Sequence, residues 1–251
     1  MKKLLCLDFD GVICNSQAEC LVTSYVAYNR LMGKKIENID SVIIPDIIKK
    51  NFYNYRYLVR PAWQYLILIK LLNETDTITE KVFTNYCKKM EKNREKLAKY
   101  FFKTRLEWIS NNPKSWFELN PIYLDVKTNW NKILDSIETF IVTNKNFHSV
   151  KQLLIHHNLN FPKKNIFGKE KIKSKSLILR SLSKKLDIKR NQIIFVDDSS
   201  FYVSEMLNLG FKSYLAGWGY EKGKINSSLI PKNNVLYNFG GIVELINNHE
   251  K

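Results

Sequence analysis

Asp8, Phe9, Asp10 and Gly11 form an Asp-x-Asp-Gly segment at the end of a short apolar run beginning at Leu4. With ten Asp and nine Gly in 251 residues, such a segment arises by chance roughly 0.01 times in a chain of this composition. Alternation along extended backbone sets Asp8 and Asp10 on one side. Carboxylates held that close repel, so the arrangement calls for a cation. Magnesium suits it, because Mg2+ takes oxygen ligands and uses only one or two carboxylates. A turn whose acids cap the following helix is the competing reading, and the apolar strand before the acids weighs against it. A second acidic pair, Asp197-Asp198, ends the run Gln192 to Val196, and Thr143-Asn144-Lys145 ends the run Thr139 to Val142.

These residues need elements that bring strand ends together. The runs from Leu4, Thr139 and Gln192, with a fourth from Phe211 to Leu215, read as buried parallel strands. Helical patterns lie between them at Val150 to His157, Leu177 to Leu186 and Tyr202 to Leu209. Strands alternating with helices of this length predict βαβ units and a parallel sheet, with ligands beyond the carboxyl ends of its strands. From Ala18 to Leu119 the pattern changes to long helical candidates, at Ala18 to Met32, Pro61 to Leu72 and Thr79 to Ile109. Half of the 32 aromatic residues fall there, among them Trp63, Trp108 and Trp116. The expected fold class is α/β: a Rossmann-like parallel sheet core flanked by helices (1–16 and 120–251), with an inserted all-helical domain (17–119).

The motifs resemble those of the haloacid dehalogenase-like hydrolase superfamily, particularly its phosphoglycolate phosphatase-like branch. The resemblance covers residues 1–16 and roughly 121–249, and the inserted helices are similar to that family's cap only in position and helical character. It implies a magnesium-dependent phosphatase for a small phosphorylated metabolite, with Asp8 as nucleophile and Asp10 as general acid and base. It implies that Asp8, Asp198 and the Asp10 backbone carbonyl hold the metal, with Asp197 beside them as a further candidate. Gly11, Thr143, Asn144 and a lysine would meet the phosphate. Lys173 and Lys175 both lie in the expected window, and Lys175-Ser-Leu-Ile-Leu better resembles the family's helix start. Leu209-Gly210-Phe211 and Gly217-Trp218-Gly219-Tyr220 resemble the segments around the family's next strand. Tyr202 departs from the pattern, since many relatives carry Asp four residues beyond the metal ligand. A cap in this family closes over the site and selects the substrate. A phosphosugar mutase of the same superfamily is the alternative activity.

The net charge of +16 raises a third reading, a nucleic-acid-binding protein on a repurposed phosphatase fold. Eleven basic residues against two acidic ones between Lys163 and Arg190 carry much of it. Lysine supplies 33 of the 40 basic residues, and Asn and Ile occur 26 times each, the excess that AT-rich coding produces without selection for a polyanion. Retention of three clustered carboxylates argues further against the nucleic-acid reading. No run of about eighteen apolar residues occurs, so a membrane span is not expected. Charge returns at Asp8, too early for a signal peptide. Cys6, Cys14, Cys20 and Cys87 show no metal or disulfide spacing and read as reduced thiols of a cytoplasmic protein. His148, His156 and His157 read as surface or packing residues, and Arg60 as a helix-entry residue that could instead meet a substrate anion. The sequence leaves the oligomeric state between monomer and homodimer.

Overall fold

The structure, a computed structural model, describes residues 3–75, 77–171, 174–221 and 228–247. The chain divides into two compact units, Met1–Asn15 with Pro121–Lys251, and Ser16–Asn120.

The Ser16–Asn120 unit holds helices α1 (Gln17–Leu31), α2 (Asp46–Tyr55), α3 (Gln64–Glu74), α4 (Glu80–Met90), α5 (Arg94–Asn111) and α6 (Pro113–Glu118). The α3 helix is buried around nearly its whole circumference, from Tyr65 through Leu72. A helix apolar on all sides belongs at the centre of its unit. Tyr65 stacks between Phe52 of α2 and Phe101 of α5, with ring centroids 6.0 Å and 5.1 Å away. The long helix expected over Thr79 to Ile109 is two helices, separated by a 3₁₀ turn at Glu91–Asn93. Phe83 and Cys87 are buried on α4, and Leu97 and Phe101 on α5. The two pairs would lie only about 40° apart on one continuous helix, so the apolar pattern runs through the break without marking it. Arg60 takes the helix-entry role, its backbone N–H donating to Gln64 Oε1 at 3.0 Å.

The other unit carries a sheet of six parallel strands: β1 (Leu4–Leu7), β2 (Glu138–Val142), β3 (Ile166–Phe167), β4 (Ile193–Asp197), β5 (Lys212–Ala216) and β6 (Val235–Leu236), in the order β3-β2-β1-β4-β5-β6. Its helices are α7 (Leu124–Ser136), α8 (Phe147–His156), α9 (Lys175–Lys185), α10 (Ser200–Asn208) and α11 (Gly240–Asn247). The two-residue strands β3 and β6 add to the four expected from sequence. Every residue of β1 is buried, as a central parallel strand requires. The direction of chain travel across the sheet reverses between β1 and β4, which makes their carboxyl ends the topological switch point.

Alternate residues of three strands, Leu4 and Cys6, Phe140 and Val142, Ile193 and Phe195, share one core with Leu179 and Leu182 of α9 and Met206 of α10. Continuing that alternation, Asp8 and Asp197 leave their strands toward the same helical layer. Among the described residues there is no disulfide, and no helix is long and apolar enough to cross a membrane.

Arg105 of α5 grips Glu19 of α1 with two hydrogen bonds, Nε to Oε1 and Nη2 to Oε2, both 2.8 Å, and Thr23 Oγ1 donates to Oε1 at 2.6 Å. Glu19 is fully buried and Arg105 nearly so. Such a pair is costly to break from one side, because the remaining charge is stranded without water. Arg105→Met is therefore expected to lower stability by about 3–5 kcal/mol in urea unfolding followed by circular dichroism. The double variant Glu19→Leu with Arg105→Met should recover much of that loss.

Candidate active site

The site is assembled by strand register. Leu7 is level with Val196 across the β1–β4 pair, and the Asp8 N–H donates to the Val196 carbonyl at 2.9 Å. Asp8 therefore emerges beside Asp197. One carboxylate oxygen from each of Asp8, Asp197 and Asp198 can be chosen so that all three lie within 4.8 Å of one another, and all three residues are buried. Like charges this close are tolerated only with positive charge at hand.

Lys175 supplies the part that the chain itself provides. Ser174 caps α9, its Oγ accepting from the Leu177 N–H at 3.2 Å, and this sets Lys175 in the first helical turn. The Lys175 ammonium lies 3.0 Å from Asp8 Oδ2 and donates to Asp197 Oδ2 at 2.6 Å. It is only 2% exposed. Burial disfavours its charged form, but the charges of Asp197 and Asp8 outweigh that and hold its pKa above the ordinary lysine range. The helix amino end is an unfavourable place for a cation, so these carboxylates are what keep Lys175 there. Burial also pushes the Asp197 carboxyl up, against the pull of Lys175, and the neighbouring Asp8 charge adds to the rise.

Asp198 is held from two sides by glycine. A Cβ on Gly11, whose φ is +84°, would stand 2.4 Å from Asp198 Cγ and Oδ2, and one on Gly219 would stand 2.4 Å from Asp198 Cβ. The Tyr220 N–H donates to Asp198 Oδ2 at 3.3 Å. The loop after β5 also ties down the loop after β1, with Trp218 Nε1 donating to the Val12 carbonyl at 3.1 Å and the Tyr220 hydroxyl to that of Cys14 at 3.4 Å. Gly217-Trp218-Gly219-Tyr220 is thus a clamp on both acidic loops.

The carboxylate oxygens differ in whether they are already engaged. Both Asp197 oxygens are engaged, Oδ2 by Lys175 and Oδ1 by the Ser199 N–H at 3.0 Å. Among the described residues, Asp8 Oδ1 is buried with no hydrogen-bond partner. A buried carboxylate oxygen left this way is costly unless a cation or a reacting atom meets it. The all-oxygen donor set and the unpartnered Asp8 oxygen fit a hard divalent ion such as Mg2+.

The remaining candidates fall around this centre. Thr143, at the end of β2, is buried, and its Oγ1 accepts from the Lys145 N–H at 3.2 Å, leaving the hydroxyl hydrogen for another acceptor. Asn144 donates from Nδ2 to the Tyr202 hydroxyl at 3.0 Å. The Asp10 carboxylate meets Lys145, whose Nζ donates to Asp10 Oδ1 at 3.0 Å. Lys145, buried at the same strand end, has no role in the sequence reading. Its signal was its position two residues beyond Thr143. Lys173 lies outside the described residues. His148 is exposed at the start of α8, and His156 and His157 pair edge to face with each other, ring centroids 4.9 Å apart.

No protein-family model matches the sequence, and no curated protein matches it. Many solved structures share its fold. A predicted phosphatase from Clostridium acetobutylicum superposes with a TM-score of 0.64 at 16% identity, over 99% of each chain. A predicted phosphoglycolate phosphatase from Haemophilus somnus gives a TM-score of 0.66 at 16% identity over 97% of each chain. A haloacid dehalogenase-like hydrolase from Bacteroides fragilis gives 0.63 at 14% identity, covering 96% of this chain and all of that one. At such identities the likeness is one of fold. The chain has the fold of the haloacid dehalogenase-like hydrolases.

Proposed function

We propose that this protein is a magnesium-dependent phosphatase that hydrolyses a small phosphomonoester through an aspartyl-phosphate on Asp8. The observation that carries the reading is the buried, unpartnered Asp8 Oδ1, set beside Lys175 and the two other carboxylates. A carboxylate oxygen without a hydrogen bond keeps its lone pairs for a nucleophilic attack.

In the first step an Asp8 oxygen attacks phosphorus as the bond to the leaving oxygen breaks, and Asp10 delivers a proton to that oxygen. In the second, Asp10 takes a proton from water as the water oxygen attacks the same phosphorus. The bond between phosphorus and Asp8 then breaks, releasing inorganic phosphate and restoring the carboxylate. Lys145 holds the Asp10 carboxylate through one of its oxygens. Lys175 donates one N–H to Asp197 and pairs with Asp8 at 3.0 Å, which leaves its ammonium able to donate to a phosphate oxygen as well. The Thr143 hydroxyl can donate to a second. Groups placed in advance around developing charge are the main source of acceleration in such reactions. Asp8, Asp198 and the Asp10 carbonyl would hold Mg2+, with Asp197 kept out of the coordination shell by Lys175 and Ser199. When bound, the ion supplies positive charge that offsets the phosphate and the carboxylates. The Ser16–Asn120 unit stands where the cap stands in the chain order of this fold, and we assign substrate choice to it.

Asp8→Asn is expected to lower turnover of p-nitrophenyl phosphate on the order of 10⁴-fold or more, the scale of losing a nucleophile, with an unchanged circular dichroism spectrum. Full activity in that variant would remove Asp8 from the role. Product analysis accompanies it: inorganic phosphate without an isomerised sugar phosphate excludes the mutase.

Magnesium should raise the melting temperature of the wild-type protein in a concentration-dependent way, by the linkage between binding and folding. The same titration on Asp198→Asn should show little or no rise, and a chelator should abolish turnover in the wild type. A wild-type melting temperature insensitive to Mg2+ would count against the metal site independently of any activity.

A further inference from the structure

Resting on the phosphatase reading, we propose that Tyr202 is a positioning residue, which holds the Lys175 ammonium in place through the face of its ring. Lys175 Nζ stands 4.5 Å from the centroid of that ring. Tyr202 sits in the first turns of α10, and its hydroxyl is fixed from the other side by the Asn144 Nδ2 donor at 3.0 Å. The ring is thereby held at two points, by the helix that carries it and by the strand end that carries Thr143 and Asn144.

The chemistry of Lys175 explains what a ring adds there. Its stem is flexible, and two carboxylates pull its head toward the acids. A third carboxylate at position 202 would compete with Asp8 and Asp197 for the same ammonium and add negative charge to a cluster already crowded with it. An aromatic face attracts the cation without accepting its N–H bonds, so those stay directed at Asp8, Asp197 and an incoming phosphate oxygen. Burial raises the Tyr202 pKa despite the nearby ammonium, so the phenol stays neutral in the range where the enzyme would work. Asn144 acts one step further out, through Tyr202.

The test compares Tyr202→Leu with Tyr202→Phe in the full-length protein and has two readouts. The first uses p-nitrophenyl phosphate with Mg2+. Loss of a desolvated cation–π contact should lower kcat of Tyr202→Leu about 30-fold, with KM changed far less. Tyr202→Phe, which keeps the ring, should stay within about threefold of the wild type. The second readout needs no activity. In protein labelled with 13C at the lysine ε-methylenes, the Lys175 signal, identified by its loss in Lys175→Met, should lie upfield of the other lysines through the ring current. It should return among them in Tyr202→Leu. A Lys175 signal among the other lysines in the wild type would overturn the proposal, as would a Tyr202→Leu enzyme with unaltered kcat. If the wild type turns over no phosphomonoester while its Lys175 signal is displaced, the phosphatase reading fails and the placement of Lys175 by Tyr202 stands.

Discussion

The ion pairs between Lys175 and the carboxylates of Asp8 and Asp197 are the contacts around which the sheet unit is organised. Three buried acids at adjacent strand ends repel one another at full strength in a medium poorer in water than the surface. A lone surface lysine could not offset that, because its long side chain would be free to leave. Here the Ser174 cap sets where α9 begins, and the packing of Leu179 and Leu182 against the sheet sets where the helix lies. Lys175 therefore arrives at the acids as part of a rigid element. The helix pays for this with a cation at its unfavourable end, and the two carboxylates return more than it loses.

Strand register does for the acids what the helix cap does for the lysine. A shift of one residue between β1 and β4 would send Asp8 and Asp197 to opposite faces of the sheet. The fully buried faces of both strands forbid such a slip, since it would exchange every core contact at once. Backbone clearance is the second geometric requirement. Gly11 and Gly219 lie against Asp198 so closely that no side chain fits at either position, and Gly11 also holds a positive φ. Glycine at these two places follows from the position of Asp198 rather than from a need for flexible loops.

Much of this was legible in the residues, because buried parallel strands that end in acids or Thr stand out against an otherwise Lys- and Asn-rich chain. The four long strands and the placing of Thr143 and Asp198 at strand ends follow from that contrast, whereas Lys175 was singled out only by resemblance to a family motif. Strands of two residues, such as Ile166–Phe167 and Val235–Leu236, are too short to carry any periodicity. The division at Glu91–Asn93 was hidden for a different reason. No Gly or Pro marks it, and the apolar spacing on either side is close to that of one continuous helix. Contacts between distant segments are invisible to local pattern altogether. Lys145 reaching Asp10, Tyr202 facing Lys175, and the clamp of Trp218 and Tyr220 on the first loop depend on how strands are ordered across the sheet.

The charge of the centre bears on what can stand beside Lys175. Asp8, Asp197 and Asp198 gather three carboxylates at one buried point, and Lys175 pairs with the first two. Burial raises the Asp197 carboxyl against the pull of Lys175, and the Asp8 charge adds to the rise. An acid in place of Tyr202 would add a further negative charge beside these carboxylates, whereas a neutral ring over Lys175 adds none while still facing the lysine. The departure at position 202 is in this way a consequence of how many acids the strand ends already bring together.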